Sequence, residues 1–417
     1  LARNALARNA LARNASARNA PARNALARNA LARNARARNA LAPERGDRDQ
    51  ETAPHGSAAQ RAQTEDGAID AISDQALAAL AGLAGGAALG LAARRVRFCT
   101  LGAIEGAIWG DDRSGVRMWG VALGVAILAS FGAAAAGLFD PAASFHMRFA
   151  WNPAASIIGG LMFGYGMALA GNCGYGALAR LGGGDLRAFV VVLVMGISAA
   201  MAIGGPTAEI RDALFAPEAL EAGAPLPSLA HGIAGAVGVA PGLVAGIIGG
   251  ALILSALAGR GLARRQAIWA GVVGLSVASG WAATGLLEHA SFGALPVVSH
   301  SFAAPMGDSL LWSMTASGGG LGFGVGSVFG VALGALGGSW QDGRFRWEAC
   351  EDPAELARQI FGAFLMGTGG VTALGCSVGQ GLTAFSLLAY GAPVTLAAIT
   401  LGAALGLRHL IRGFHAI

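Results

Sequence analysis

Lysine is missing altogether from this sequence: all 29 of its basic side chains are arginines. Beside so much alanine and glycine this reads as compositional bias, and it leaves any buried anion site to be built without an ammonium group. Charge of either sign is sparse, 13% of 417 residues, about half the usual share of a soluble domain, which excludes an ordinary soluble globule. Four cysteines cannot frame a disulfide scaffold in a chain this long, so free thiols are expected. No Cys-x-x-Cys occurs, and a closed four-ligand zinc site has no spacing to grow from. Metal and cofactor are therefore both read as none. No charged, apolar and cleavage regions follow one another as in a secretory signal. What is present is hydrophobic residues at 54% and 66 glycines, in several apolar runs that approach or exceed the ~20 residues needed to cross a bilayer. The fold class is all-α, a polytopic membrane protein.

The formal charge of +5 is unevenly spread. Residues 1–40 hold nine arginines and no acid, leaving 20 arginines against 24 acids in 41–417, a net charge of −4. The basic surplus belongs to the tail, and nucleic acid is not expected as a partner. That tail is eight pentads of the form x-Ala-Arg-Asn-Ala, led by Leu1, Leu6 and Leu11, with Ser16, Pro21 and Arg36 as variants. A period of five matches neither 3.6 nor 3.5, so apolar positions wind around a helix without forming a stripe. Disorder or marginal helix is expected over 1–74, which includes the polar stretch from Pro43 to Asp74. The chain opens on Leu1 and its first methionine is Met118. The pentads are accordingly expected to be irrelevant to function, as a mis-assigned start, a fragment end or a translated repeat.

Apolar runs near 75–93, 118–138, 153–172, 188–205, 231–258, 266–287, 317–338, 359–390 and 393–411 give about nine crossings, with re-entrant pieces expected in 317–338 and 359–390. Short cytoplasmic loops retain arginine. Arg94, Arg95, Arg97, Arg113 and Arg117 lie between the first two runs, Arg180 and Arg187 between the third and fourth, and Arg260, Arg264 and Arg265 between the fifth and sixth. Arg344, Arg346 and Arg358 precede the eighth, and Arg408 and Arg412 close the chain, whereas loops 206–230 and 288–316 carry Arg211 alone. This puts the N-terminus outside and the C-terminus in the cytoplasm. The expected organisation is a tail over 1–74, a first transmembrane half over 75–205, an outer loop and linking span over 206–265, and a second half over 266–417.

Two cysteines sit inside glycine-interrupted apolar segments, Gly171-Asn172-Cys173-Gly174-Tyr175-Gly176 and Gly375-Cys376-Ser377-Val378-Gly379-Gln380-Gly381. A helix break at membrane depth is tolerated only where protein or a cavity takes over the freed backbone groups, and a matched pair of breaks is the best sequence pointer to a transport site. Aligning Cys173 on Cys376 also brings Gly159, Gly164, Gly166 and Gly176 onto Gly362, Gly367, Gly369 and Gly379. With five crossings between them, the two units are expected to run in opposite directions, as two inverted halves. Broken helices aim N-termini, each roughly half a positive charge, at an anion, and a thiol offers a weak donor on a polarizable atom. Cys99, directly after the Arg94–Arg97 cluster, is expected near the cytoplasmic face. A lone membrane cysteine is more commonly a small apolar filler; it is the pairing that argues otherwise. A Cys173–Cys376 disulfide is left open.

Other candidates read as structural. Cys350, among acids, is expected to be an incidental surface thiol, and Glu105 and Asp185 to be interfacial carboxylates paired with arginines rather than proton relays. His231, His289 and His300 are expected at the outer surface.

Phe98-Cys99 with Gly102-Ala103, the run from Gly171 to Leu186 that includes Arg180-Leu181-Gly182-Gly183-Gly184-Asp185, and Gly375 to Thr383 resemble the three motifs of the YeeE/YedE sulfur-transport family over about 80–411. The resemblance implies an inner-membrane permease of two pseudo-symmetric halves that takes up thiosulfate or a related sulfur anion. By the same resemblance Cys99, Cys173 and Cys376 would pass the ion inward by weak thiol hydrogen bonds. Asn172, Gly174, Tyr175, Gly176, Gly375, Ser377, Gly379 and Gln380 would shape the passage. A cytoplasmic TusA-like sulfurtransferase is the implied partner, the lipid bilayer the surroundings, and selenium compounds an alternative cargo. Two rivals from other classes remain open: a membrane thiol enzyme that relays persulfide sulfur through Cys376, and a purely structural subunit.

Overall fold

The computed structural model describes residues 58–413 except 217, 221–223, 260, 316–319, 350 and 351, with side chains from Asp74 onward. Cys350 and residues 1–57 of the tail lie outside the described residues. Every named element is helical, and the described residues contain no strand beyond four isolated bridges. The first helix, α1 (Ala58–Val96), takes in the end of the polar stretch. It is followed by α2 (Thr100–Trp109), α3 (Ser114–Ala135), α4 (Pro153–Ala170), α5 (Gly174–Leu181), α6 (Leu186–Gly204) and α7 (Ala208–Phe215). The second part holds α8 (Leu229–Val237), α9 (Pro241–Ala258), α10 (Arg264–Ala290), α11 (Ala303–Thr315), α12 (Phe323–Gln341), α13 (Pro353–Thr372) and α14 (Gly391–Gly413).

Eight helical stretches among the described residues are long and apolar enough to cross a bilayer. The chain is a polytopic membrane protein. Helix α13 has 20 residues, but Glu355, Arg358 and Gln359 in its first two turns make it more polar than the others. Three boundaries differ from the hydropathy pattern. The run 231–258 is broken at left-handed Gly238 (φ 77°) into α8 and α9, because Pro241 starts a new helix. The supposed loop 288–316 contains α11. The run 359–390 ends as a helix at Thr372, and continues only after a turn as a short π-helical piece, Gly379–Ala384.

Helix starts are written in the sequence. Asn152 accepts from Ala155 N at 3.1 Å ahead of Pro153, and Asp352 accepts from Ala354 N at 2.9 Å ahead of Pro353, each an N-cap followed by proline at the first helical position. Packing explains much of the glycine. Between apolar helices in lipid there is little hydrophobic drive, so close backbone contact does the holding. Gly82, Gly86 and Gly90 of α1 interlock with Gly326, Gly330 and Gly334 of α12; a methyl group on any of the six would lie 1.9–2.4 Å from a facing carbonyl oxygen. Helices α4 and α13 cross in the same way through Gly159, Gly166, Gly362 and Gly369.

The arginine-rich segments meet on one face. Arg95 contacts Gln341 and Asp342, Arg94 lies against Gly183 and Gly338, Arg117 lies on Gly259, and Arg187 bonds Asp185 at 3.2 Å and Glu348 at 3.4 Å. The opposite loops interlock separately, Phe145 N donating to Val297 O at 3.3 Å and Leu220 N to Arg148 O at 2.9 Å. Arg148 thus joins Arg211 on that side. His300 is a correction: it is fully buried, its Nδ1 2.7 Å from Ser327 Oγ, because the chain dives inward after Val298 instead of running along the surface.

Candidate functional site

Each of the three membrane cysteines stands at the start of a helical segment, just after a residue that the backbone turns out of the preceding helix. Helix α4 ends at left-handed Gly171 (φ 72°), and Cys173 caps α5, its Sγ accepting from Gly176 N at 3.4 Å. Beyond the end of α13 at Thr372 the chain turns at left-handed Leu374 (φ 56°), and Cys376 Sγ accepts from Gly379 N at 3.3 Å and from Phe302 N at 3.3 Å. Arg97 (φ 54°) ends the first crossing, and Cys99 is the N-cap of α2. Their carbonyls start the following helices, accepting from Ala103, Ala177 and Gln380. Three N-terminal ends with partial positive charge therefore carry a thiol each.

The fold brings them together. Cys99 and Cys173 are mutual neighbours, and Thr100 and Ser377 also face Cys173, Thr100 Oγ1 donating to its Sγ at 3.9 Å. Cys376 lies within electrostatic reach of Cys173, and Ser301 Oγ is 4.0 Å from Cys376 Sγ. Cys173 and Cys376 are fully buried while Cys99 is half-buried, and all three are free thiols; no Cys173–Cys376 disulfide is formed.

The neighbours singled out in the sequence divide into two kinds. Asn172 and Ser377 are buried; Asn172 Oδ1 has no hydrogen-bond partner among the described residues, and Ser377 Oγ has none beyond the Cys173 thiol it faces. A buried polar atom without a partner is costly unless a ligand or water meets it. Tyr175 and Gln380 are instead spent on the scaffold: Tyr175 donates to Leu89 O at 2.6 Å, and Gln380 Nε2 ties off the end of α13 through Ala373 O at 2.9 Å and Leu374 O at 3.1 Å. Gly176 and Gly379 supply the capping N–H groups, Gly375 (φ 159°) completes the turn, and a methyl at Gly174 would strike Met195 Sδ at 2.7 Å. Sequence reasoning missed Ser301, Thr100 and the Phe302 N–H, since nothing in their local composition marks them.

On the face opposite the arginines a small cleft of about 50 Å³ is lined by His146, Trp151, Pro227, Tyr390, Leu374 and Gln380, next to the Cys376 turn. Asp185 pairs with Arg187 at 3.2 Å, as an interfacial carboxylate should, and Glu105 is exposed.

Apolar spans, interrupted helices and buried thiols at the interruptions define a polytopic helical membrane protein. A search of curated proteins finds no match. The model of the sulphur transport family matches residues 95–405, from just before Cys99 to beyond Cys376. The chain belongs to this family, the YeeE/YedE sulfur transporters.

Proposed function

We propose that the chain takes up thiosulfate or a related sulfur-containing anion across the inner membrane, along a path lined by Cys99, Cys173 and Cys376. The observation that carries the reading is the pair of buried thiols at helix N-termini, with the unpartnered Asn172 Oδ1 and the Ser377 hydroxyl that faces Cys173 beside them. N-terminal N–H groups favour an anion, and weak thiol donors in series hold it without trapping it, as conduction requires. The arginine-rich face is cytoplasmic by the positive-inside rule, which puts Cys99 at the exit and the C-terminus inside. A TusA-like sulfurtransferase is the expected acceptor there.

Purified protein in liposomes provides the test, with labelled thiosulfate and competition by sulfate, sulfite and selenite. Cys173→Ala and Cys376→Ala should each abolish uptake at parental expression; normal uptake by both removes the cysteine path. Thiosulfate arriving intact supports a permease, whereas a persulfide trapped on Cys376 during turnover would replace it with a covalent sulfur relay. Strong selenite competition would move the cargo to selenium.

A further inference from the structure

The two cysteine turns are related by more than their motifs. With an offset of 203 residues, Gly159 corresponds to Gly362, Gly166 to Gly369 and Ala170 to Ala373. A methyl on Gly159 would lie 2.8 Å from Gly369 O and 2.7 Å from Ala373 N; one on Gly362 would lie 2.6 Å from Gly166 O and 2.7 Å from Ala170 N. Exchanging the halves exchanges the contacts, which is the signature of a two-fold axis through the α4–α13 crossing. The flanking helices follow suit: Gly164 meets Ile399 O and Ala403 N of α14 as Gly367 meets Met195 O and Ala199 N of α6. Left-handed Gly171 corresponds to left-handed Leu374.

Carried to the thiols, this relation identifies a residue with no signal of its own. A methyl on Gly176 would lie 3.6 Å from Cys173 Sγ and 3.8 Å from Cys99 Sγ; one on the equivalent Gly379 would lie 3.8 Å from Cys376 Sγ and 2.5 Å from Ser301 Oγ. Ser301 stands where Cys99 stands in the other half. Each precedes a short helix, α2 or α11, and each is half-buried beside a fully buried cysteine. Cys99 follows the helix end that carries Arg94 and Arg95, whereas Ser301 follows the segment joined through Val297 to Ser144 on the opposite face. Its one hydrogen-bond contact among the described residues, Cys376 Sγ at 4.0 Å, is long enough to leave the hydroxyl proton available.

We propose that Ser301 is a fourth station of the pathway, an oxygen-directed donor that receives a sulfur oxyanion on the face opposite the arginines before it reaches Cys376. The order along the path is then Ser301, Cys376, Cys173, Cys99. A hydroxyl is a stronger donor than a thiol, so the outermost station engages the anion's oxygens and the inner three its sulfur and oxygens more weakly. This rests on the pathway reading above.

The test uses the full chain in liposomes at thiosulfate concentrations below saturation. Ser301→Ala should lower uptake about tenfold, the equivalent of one hydrogen bond to a charged group, while Ser301→Cys, which copies the other half, should retain most of it. Ser301→Cys should also gain alkylation by an impermeant maleimide applied from the face opposite the arginines, over the parent protein's background, and thiosulfate should slow that reaction. Parental uptake by Ser301→Ala while Cys376→Ala is inactive would overturn the fourth station and leave the cysteine path intact. Parental uptake by both would sink the path itself. No gain of alkylation from that face, or a gain that thiosulfate leaves unchanged, would also overturn the proposal even if Ser301→Ala folds poorly.

Discussion

Replacing Gly369 with alanine should weaken the protein, and replacing Gly246 with alanine should strengthen it, although both are glycines inside apolar helices. Either substitution removes backbone freedom from the unfolded chain and gains about 0.5–1 kcal/mol of helix stability. Gly246 in α9 has open space around its would-be methyl, so the gain stands alone. At Gly369 the methyl would lie 2.7 Å from Gly159 O, 2.7 Å from Phe163 N and 3.0 Å from Met162 Cβ. Ordinary contact begins at 3.4 Å, so α4 and α13 must part by about 0.7 Å. Neither can shift freely, because α14 closes on α4 and α6 on α13 through Gly164 and Gly367. Overpacking of this kind costs about 1–3 kcal/mol. The propensity gain is common to both variants and cancels in their difference, which should therefore be about 1–3 kcal/mol in favour of Gly246→Ala. Thermal unfolding in detergent, followed by tryptophan emission, reads that difference as a split in midpoint. Uptake should fall in Gly369→Ala, since these two helices end in the Cys173 and Cys376 turns, and should be unchanged in Gly246→Ala. Equal midpoints, or a higher one for Gly369→Ala, would mean that the crossing is not held by backbone contact.

Two further outcomes follow from single contacts. Tyr175→Phe keeps the ring against Phe302 but removes the 2.6 Å bond to Leu89 O; a stability loss of about 1 kcal/mol is expected, seen in thermal unfolding, with uptake largely kept. On the cleft side, desolvation pushes the His146 imidazole down to about 4, against about 6.5 in an unfolded chain. Above pH ~6.5 both states are neutral and its contribution is whole; as pH falls from there towards about 4 the unfolded state binds the proton first and stability is lost. His146→Gln should flatten that part of the pH dependence of the unfolding midpoint, and an unchanged slope would show that His146 is not desolvated.

Much of the fold was legible because its causes are local. Asn152-Pro153 and Asp352-Pro353 announce helix starts, and the apolar runs announce spans. Gly171 announces the end of α4, since a left-handed residue there is least strained as glycine. Leu374 does the same work in the other half without a glycine of its own, so there the break was announced only by the glycines that follow it, Gly375, Gly379 and Gly381. His300 was misplaced for a related reason. A short polar segment between helices reads as surface loop, and only its packing under Phe323 and Ser327 shows that it turns into the protein.

The candidate site was half legible. Cys173 and Cys376 could be found because each sits in a glycine break long enough to align. Ser301 and Thr100 could not, since an isolated hydroxyl carries no period, cap signature or motif.

Composition and pattern by themselves determined that this chain lives in a bilayer, where its helices are interrupted, and which thiols lie at the interruptions. These are consequences of hydropathy and of backbone preference, which each short stretch of residues carries with it. Which side chains face those thiols, which polar atoms are left without partners, and how residues about two hundred positions apart interlock were decided only by the tertiary structure. Helices in lipid choose their neighbours by shape and close approach, and shape exists only once the helices have met.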